Sequence, residues 1–143
     1  MTDRYLFKAK ELDDGEWVQG YYVKGLNMYD KEVYLIFEPN TMFYSSGETD
    51  GWYKVYPTTI CQCTGLKDKN GTLIWENDIA RDEHGNFYKA IWQNNYYQFS
   101  WICVKSDVFS IGAKWNLWSI KSFEIEVIGN VFDNPELLES EEK

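Results

Sequence analysis

Four titratable residues in the middle of the chain come nearest to a catalytic arrangement. His84, the single histidine, directly follows Asp82 and Glu83, and Asp78 stands six residues before it. A carboxylate beside a histidine, or a pair of carboxylates, is the chemistry of general acid and base catalysis in a hydrolase. No motif that presents a serine or cysteine nucleophile accompanies them. The sequence therefore favours solvated turn residues here, with Asp78 accepting backbone amide hydrogens in an Asx-type turn.

The stretch TGLKDKNGTLIWENDI, residues 64–79, carries the densest turn signals and can be tested against ion-binding loops. Residues 68–71 resemble the interior of a calcium loop, but placing Gly71 at the sixth position puts Leu66 first and Asn77 twelfth, where carboxylates are required. The glycines also lack the Lys-Ser or Lys-Thr pair of a phosphate loop. Aspartate, asparagine and glycine between two apolar runs instead predict a tight hairpin.

The three cysteines raise the question of a metal site. Cys61 and Cys63 alternate so that both thiols share one face of a strand, while Cys103 and His84 stand far along the chain, with no spacing that joins them. Zinc takes about four ligands, whereas cysteine is among the residues most often buried in protein cores. We therefore expect core packing, with no metal and no cofactor. An odd number of cysteines also fits a reducing compartment.

Aromatic residues make up 18% of the chain, which suits strands and also offers stacking platforms for single-stranded nucleic acid. The lysines that would form a basic groove beside them are Lys105, Lys114 and Lys121. A net charge of -9 disfavours phosphate binding, so a nucleic-acid role, by stacking or by mimicry of DNA charge, stays the alternative. The rings considered for stacking are Trp75, Trp92, Tyr96, Tyr97, Trp101, Trp115 and Trp118.

The segment KWNLWSIKSF, residues 114–123, crowds three large apolar side chains into a short span, namely Trp115, Leu117 and Trp118. Such side chains fill protein cores, but they also anchor interfaces between proteins. We predict that these three residues form a contact surface for another protein or for a second copy of the chain.

Short apolar and aromatic runs alternate with clusters of glycine, asparagine and aspartate along most of the chain. This pattern predicts an all-β fold of short antiparallel strands, arranged as a barrel or a sandwich. Only the end of the chain indicates a helix, because Asn134 fits an N-cap and Pro135 fits the first helical position. Leu137 and Leu138 would then dock this short helix on the barrel.

Length and composition predict one domain. A chain of 143 residues can bury a single core, and no apolar run approaches the ~20 residues that cross a bilayer. The first residues also lack the apolar block of a secretion signal. We expect a single domain over residues 1–143, located in the cytoplasm and without a membrane partner. Two β subdomains that meet near residues 57–63 remain an open alternative.

Three phrases of the sequence resemble the YopX family of phage and prophage proteins: GEWVQGYYVKG, TGLKDKNGTLIWENDI and EIEVIGNVFDNPELLE. They touch both ends and the middle, so the likeness covers nearly the whole chain. One departure is Asn77, where the family more commonly has glycine, although asparagine tolerates the same left-handed backbone. The resemblance implies a small all-β protein with a partly open barrel. It implies no catalytic or binding residues, since the function of the family is itself uncertain.

Taken together, these features favour a non-enzymatic phage or prophage accessory protein in the cytoplasm of a bacterial host. We expect it to act through contacts with a host or phage protein, or by self-assembly into a homo-oligomer. A nucleic-acid-associated role is the alternative function.

Overall fold

The computed structural model describes residues 5–39, 45–46, 50–120 and 124–138, without the side chain of Trp118. Strands dominate these residues and pair antiparallel, which confirms the predicted all-β class. The chain forms two compact units, Met1–Cys63 and Thr64–Lys143. None of the described helical segments has the length and apolar character that crossing a membrane requires.

The first unit is an antiparallel sheet with the strand order β4-β3-β2-β1-β5. Its elements are β1 (Phe7–Lys10), β2 (Trp17–Leu26), β3 (Glu32–Phe37), β4 (Trp52–Lys54), a 3-10 turn (Pro57–Thr59) and β5 (Cys61–Lys67), which continues into the second unit. Side chains alternate along β2, so Val18 and Tyr22 pack against the core while Tyr21 and Val23 stay exposed on the other face. The buried centre of this core is Ala9, Ile36 and Val55.

The second unit is built on a sheet with the strand order β10-β9-β8-β7-β11, again antiparallel. Its elements are β6 (Leu73–Trp75), β7 (Asp78–Asp82), β8 (Phe87–Gln93), β9 (Gln98–Lys105), β10 (Lys114–Asn116), a 3-10 turn (Leu117–Ser119), β11 (Ile125–Asn130) and a second 3-10 turn (Pro135–Leu138). One apolar cluster fills this unit. It contains Ile74, Ala80, Tyr88, Ala90, Trp101, Cys103, Leu117 and Ile125.

The predicted hairpin in the family-like stretch is confirmed. The amide of Asp68 donates to the carbonyl of Thr72 at 2.8 Å, and the amide of Gly71 donates to the carbonyl of Asp68 at 3.0 Å. Gly71 has a φ of 80°, in the left-handed region that a residue without Cβ enters at little cost. The turn therefore joins β5 to β6 through local chemistry that the sequence shows.

The expected partly open barrel is replaced by two open sheets, and the described strands form no closed barrel. β4 ends the first sheet, and β10 and β11 end the second, so each of these strands pairs on one side only. Closure would require such edges to pair with each other. β4 and β10 each span only three residues, which limits the ladder that an edge can extend.

The predicted C-terminal helix is a 3-10 turn, Pro135–Leu138, within the described part of that segment. The Asn134 side chain does not serve as an N-cap, because its Oδ1 accepts the amide hydrogen of Asn130 at 3.2 Å. The amide of Leu137 donates to the carbonyl of Asn134 at 3.1 Å, which is the tighter spacing of a 3-10 turn. Asn134 also lies against Gly129, where any Cβ would collide with it.

Candidate functional site

A turn built around Asp82 forms one side of the candidate site. Oδ1 of Asp82 accepts the amide hydrogens of His84 and Asn86, each at 2.9 Å. Its Oδ2 accepts the side-chain amide of Asn86 and the hydroxyl of Tyr88, each at 2.8 Å. Gly85 takes a φ of 82°, which closes the turn between β7 and β8. Both oxygens of the carboxylate are thus engaged by donors from its own hairpin.

These contacts shift the pKa values of the Asp82 carboxyl and the Tyr88 hydroxyl in opposite directions. Burial alone would raise the pKa of Asp82, but the hydrogen bonds from Asn86, Tyr88 and the amide of His84 outweigh it and hold the pKa below its ordinary value. Burial, followed by the bond to Asp82, raises the pKa of the Tyr88 hydroxyl well above its ordinary value. The carboxylate stays charged and the hydroxyl stays protonated near neutral pH. Neither group is therefore suited to exchange protons there.

Asn86 connects this turn to the loop that follows β9. Its Oδ1 accepts the hydroxyl hydrogen of Ser106 at 2.6 Å. The hydroxyl oxygen of Ser106 in turn accepts the amide hydrogens of Val108 at 2.9 Å and Phe109 at 2.8 Å. This chain of hydrogen bonds fixes where the loop leaves the sheet and where the ring of Phe109 stands.

Three aromatic rings form the apolar wall of the site. Phe109 meets Trp115 edge to face, with ring centroids 5.1 Å apart and planes at 68°. Trp115 meets Tyr88 in the same way at 5.6 Å and 85°. Edge-to-face pairs are the favoured arrangement of aromatic quadrupoles and add to the packing energy. The wall is therefore a fixed surface on which a ligand side chain could pack.

The turn, the loop and the aromatic wall enclose a cleft of about 340 Å³. Carboxylates stand at its rim, in Glu83 and Glu124 beside Asp82, and the described lining contains no lysine or arginine. The cleft thus combines an apolar wall with a negative edge. Its described lining is Asp82, Glu83, His84, Asn86, Tyr88, Val108, Phe109, Trp115, Ser119, Ile120 and Glu124.

The predicted contact surface divides between core and cleft. Trp115 is half-buried and lines the cleft. Leu117 is only 7% exposed and belongs to the hydrophobic core of the unit, so it offers no surface to a partner. The side chain of Trp118 lies outside the described residues. Of the three predicted residues, Trp115 is therefore the one whose described side chain is available to a ligand in the cleft.

The rings considered for nucleic-acid stacking do not form one platform. Trp75 and Trp101 are buried, and Trp101 lies in the core of the second unit. Tyr96 and Tyr97 are exposed, and they lie in the turn between β8 and β9. Lys121, one of the three lysines of the predicted basic groove, lies outside the described residues. These rings therefore face different environments.

Of the residues of the hydrolase hypothesis, Asp78 and Asp82 are held by hydrogen bonds, whereas Glu83 and His84 have exposed side chains. Asp78 is buried, and its Oδ2 accepts the amide hydrogen of Trp75 at 2.8 Å. The expected acceptance of a backbone amide is confirmed, but this bond comes from three residues before Asp78, whereas an Asx-type turn uses the amide two residues after it. Asp78 begins β7 and His84 follows its other end, and a strand rises about 3.3 Å per residue, so the strand separates the two. Nε2 of His84 lies 3.9 Å from the carboxylate of Glu83, with both side chains exposed.

The cysteines pack in cores, as predicted. All three, which lie within the described residues, are buried and form no disulfide. Burial raises the pKa of the Cys103 thiol, with a smaller contribution from the charge of Asp82, which keeps it protonated and unreactive. Within the described residues there is no cluster of three or more histidine, cysteine, aspartate or glutamate side chains that could hold a metal ion.

Sequence reasoning missed the cleft because its parts come from separate segments. One signal was present: Asp82-Glu83-His84-Gly85-Asn86 repeats the pattern of Asp68-Lys69-Asn70-Gly71-Thr72, with aspartate first and glycine fourth. The two segments form the same turn. The hydrogen bond between Asn86 and Ser106 joins residues twenty positions apart, and no local sequence pattern predicts it.

Comparisons with known proteins agree with this architecture. The crystal structure of protein EF1440 from Enterococcus faecalis superposes with a TM-score of 0.56 and 22% sequence identity, covering 93% of this chain and 96% of that one. At that identity the likeness concerns the fold alone. No curated protein matches the sequence. The profile of the family described as YopX protein matches residues 6–139, nearly the whole chain. The chain therefore belongs to the YopX family.

Proposed function

We propose that this protein is a non-catalytic phage or prophage accessory protein that binds a partner protein through the cleft of its second unit. The observation that carries the proposal is the pairing of a rigid aromatic wall with a carboxylate rim in one cleft of about 340 Å³. The phage or prophage setting is supported by membership of the YopX family.

The cleft defines the chemistry of the partner. A lysine or arginine side chain combines an aliphatic stem with a cationic end, so it can pack along Trp115 while its charge meets Glu83 or Glu124. A planar guanidinium also stacks on aromatic faces, which makes arginine the better occupant. The net charge of -9 strengthens the attraction to a basic segment over longer distances.

A binding role is supported by how the acidic residues near the cleft are used. The carboxylate of Asp82 accepts hydrogen bonds from four donors within its own hairpin. A general base needs a lone pair directed at the substrate. Asp82 therefore shapes the wall, and the exposed Glu83 remains at the rim.

The test is a titration of the protein with a blocked basic peptide, Ac-Leu-Arg-Leu-Arg-amide, followed by indole NMR signals of the tryptophans. We expect the Trp115 indole signal to shift, and the double variant Glu83→Lys with Glu124→Lys to lose the response. The matched control exchanges two exposed glutamates outside the cleft lining, Glu16→Lys with Glu136→Lys, and should respond as the wild type does.

A second measurement distinguishes a protein partner from self-association. Affinity capture from a bacterial host should recover the same basic protein with the wild type and with the control, and lose it with the cleft variant. No shift of Trp115 together with unchanged capture by the cleft variant would contradict the proposal. A dimer in light scattering that the cleft variant dissolves would instead assign the cleft to self-assembly.

A further inference from the structure

The strand register of the first unit aligns three aromatic residues in one row. Tyr21 of β2 lies opposite Phe37 of β3, and Phe37 lies opposite Trp52 of β4. Directly opposed residues share a sheet face, and neighbouring strands lie about 4.8 Å apart, so the row spans about 10 Å. Tyr21 is 48% exposed and Trp52 is 43% exposed, which leaves the two outer rings accessible.

Lysines lie on the same face as this row. Val23, Leu35 and Lys54 form the next row, again by direct register. Lys8 and Lys10 of β1 share the face with Trp17, and their ammonium groups lie 4.5 Å and 5.4 Å from the centre of its ring. We name this surface the aromatic face. It comprises Lys8, Lys10, Trp17, Tyr21, Val23, Leu35, Phe37, Trp52 and Lys54.

The aromatic face is the side of the sheet away from the core of its own unit. Val18, Tyr22 and Ile36 point to the opposite face and fill that core. The backbone of β2 also lies very close to that of β3 beside this row, because any Cβ at Gly20 would collide with the carbonyl oxygen of Phe37. The face is therefore an accessible surface with a defined arrangement of rings.

Charge on the aromatic face differs from the charge of the whole chain. Within β1 to β4, its positions carry lysines and no aspartate or glutamate. Glu32 lies on the other face, where it accepts the hydroxyl hydrogen of Tyr34 and pairs with Lys24. The acidic turn of residues 11–16 lies beyond the Lys10 end and limits the site in that direction. Two exposed acids, Glu38 and Asp50, stand next to the Phe37 and Trp52 end and limit the site there as well. Between these two ends, the charged positions of the face are lysines.

We infer that the aromatic face binds single-stranded nucleic acid, with Tyr21, Phe37 and Trp52 as a platform for bases and the lysines as contacts for phosphates. Rings in a row on an open sheet suit unstacked bases, because every base has a flat face that stacks regardless of sequence. Duplex bases are already stacked and expose only their edges. A second copy docked through the same face would bring lysines against lysines, which disfavours a symmetric dimer.

The experiment measures fluorescence anisotropy of a labelled twelve-residue oligothymidine with the full chain at low salt. Tyr21→Ala and Trp52→Ala should each weaken binding about tenfold, the typical loss for one stacked base. The matched control is Tyr29→Ala, an exposed tyrosine in the turn between β2 and β3. For charge, Lys54→Glu should weaken binding, while Lys31→Glu in the same turn should not.

Salt dependence gives an independent check on the lysines. Contacts from three lysines predict a slope of about -2 in the logarithm of the association constant against that of salt concentration. Circular dichroism and thermal unfolding check that each variant is folded. If an aromatic variant does not fold, Lys54→Glu still tests the aromatic face.

Several outcomes would overturn the inference. These are no binding of the oligothymidine, equal losses in the face variants and their controls, or equal affinity for duplex and single strand. Binding of a poly-glutamate peptide in place of the oligonucleotide would assign the face to an acidic protein. A dimer that Trp52→Ala dissolves would assign it to self-association. None of these results bears on the cleft of the second unit, so the two proposals fail separately.

Discussion

Two hairpin turns in the second unit share one backbone design and differ in the use of a single oxygen. In each, Oδ1 of an aspartate accepts the amides two and four residues ahead: Asn70 and Thr72 for Asp68, and His84 and Asn86 for Asp82. In each, the fourth position is a glycine with positive φ. Oδ2 of Asp68 accepts the amide of a distant strand, whereas Oδ2 of Asp82 stays within its own hairpin.

The difference places the two turns in separate roles. Oδ2 of Asp68 accepts the amide hydrogen of Val127 at 2.8 Å, and the amide of Lys69 donates to the carbonyl of Ile125 at 3.0 Å. The hairpin of β5 and β6 is thereby attached to β11. Asp82 instead orients Tyr88 and supports a wall of the cleft. One motif therefore serves assembly of the unit in one place and the shape of a surface in the other.

The largest expected effect comes from Asp68→Asn. Asp68 is only 5% exposed, and its carboxylate accepts three backbone amides, one of them across the tertiary contact. An asparagine would turn an NH2 group toward one of these donors, so we expect a loss of about 3 kcal/mol in the free energy of unfolding. Urea denaturation measures it. A loss no greater than that of Asp82→Asn would contradict the distinction between the turns.

Asp82→Asn should cost less, about 2 kcal/mol. Asp82 is half-buried, and all four of its donors belong to its own hairpin, so no attachment to a distant strand is lost. We also expect the cleft to change, because Tyr88 loses its acceptor. The same urea denaturation, with the Trp115 indole NMR signal as a local probe, separates the two effects. A global loss without any change at Trp115 would show that the turn does not shape the cleft.

The pH dependence of stability follows from the lowered pKa of Asp82. Because the unfolded state binds its proton at a higher pH, this carboxylate contributes stability above its unfolded pKa of about 3.9, and the contribution is lost as the pH falls through the folded pKa. The stability difference between the wild type and Asp82→Asn should therefore shrink below pH ~4. Unfolding curves from pH 7 to pH 2.5 test this, and a constant difference would be inconsistent with the hydrogen-bonded carboxylate.

The backbone of the two turns should respond equally. Gly71→Ala and Gly85→Ala each place a methyl group in open space, so only the left-handed backbone resists the change. We expect about 1 kcal/mol of destabilisation for each. Thermal unfolding of both variants side by side provides the measurement. Unequal losses of stability in Gly71→Ala and Gly85→Ala would mean that the two turns share their hydrogen bonds but not their backbone energetics.

A third copy of the turn predicts the smallest effect, and it is a gain. In the first unit, Oδ1 of Asn27 accepts the amides of Tyr29 and Lys31, but the fourth position is Asp30 with a φ of 59°. Asp30→Gly relieves that backbone and should stabilise the chain by about 0.5 kcal/mol, since the flexibility of glycine in the unfolded state offsets part of the gain. Thermal unfolding checks the sign, and a loss would show that the Asp30 side chain contributes a contact of its own.

Much of the local structure was predictable because turn chemistry is local. The hairpin at Gly71, the amide contact of Asp78 and the burial of the cysteines follow from residue type and short spacing. The helix expected after Asn134 was wrong because its side-chain oxygen accepts the amide hydrogen of Asn130, a competing donor that is specific to that turn. The residue type alone does not decide whether an asparagine side chain caps the helix that follows it or accepts the amide hydrogen of a residue before it.

The candidate sites were less predictable because alternation marks two faces of a strand without saying what covers each. Trp101 and Trp52 occur in similar apolar runs, yet one lies in a core and the other on an exposed face. Leu117 and Trp115 stand two residues apart, and only Trp115 lines the cleft. Which ring is buried depends on the strand that packs over it.

The sequence by itself determined the all-β class, the positions of the aspartate-glycine turns and the family, because each depends on residue types within short segments or on phrases spread along the chain. The tertiary structure alone decided that Asp68 holds β11, that Asp82 supports a cleft, and that Tyr21, Phe37 and Trp52 form a row. The physical reason is that hydrogen-bond acceptors and aromatic faces are the same in every context. The role of each acceptor or ring depends on which distant group contacts it, and strand register and packing determine that group.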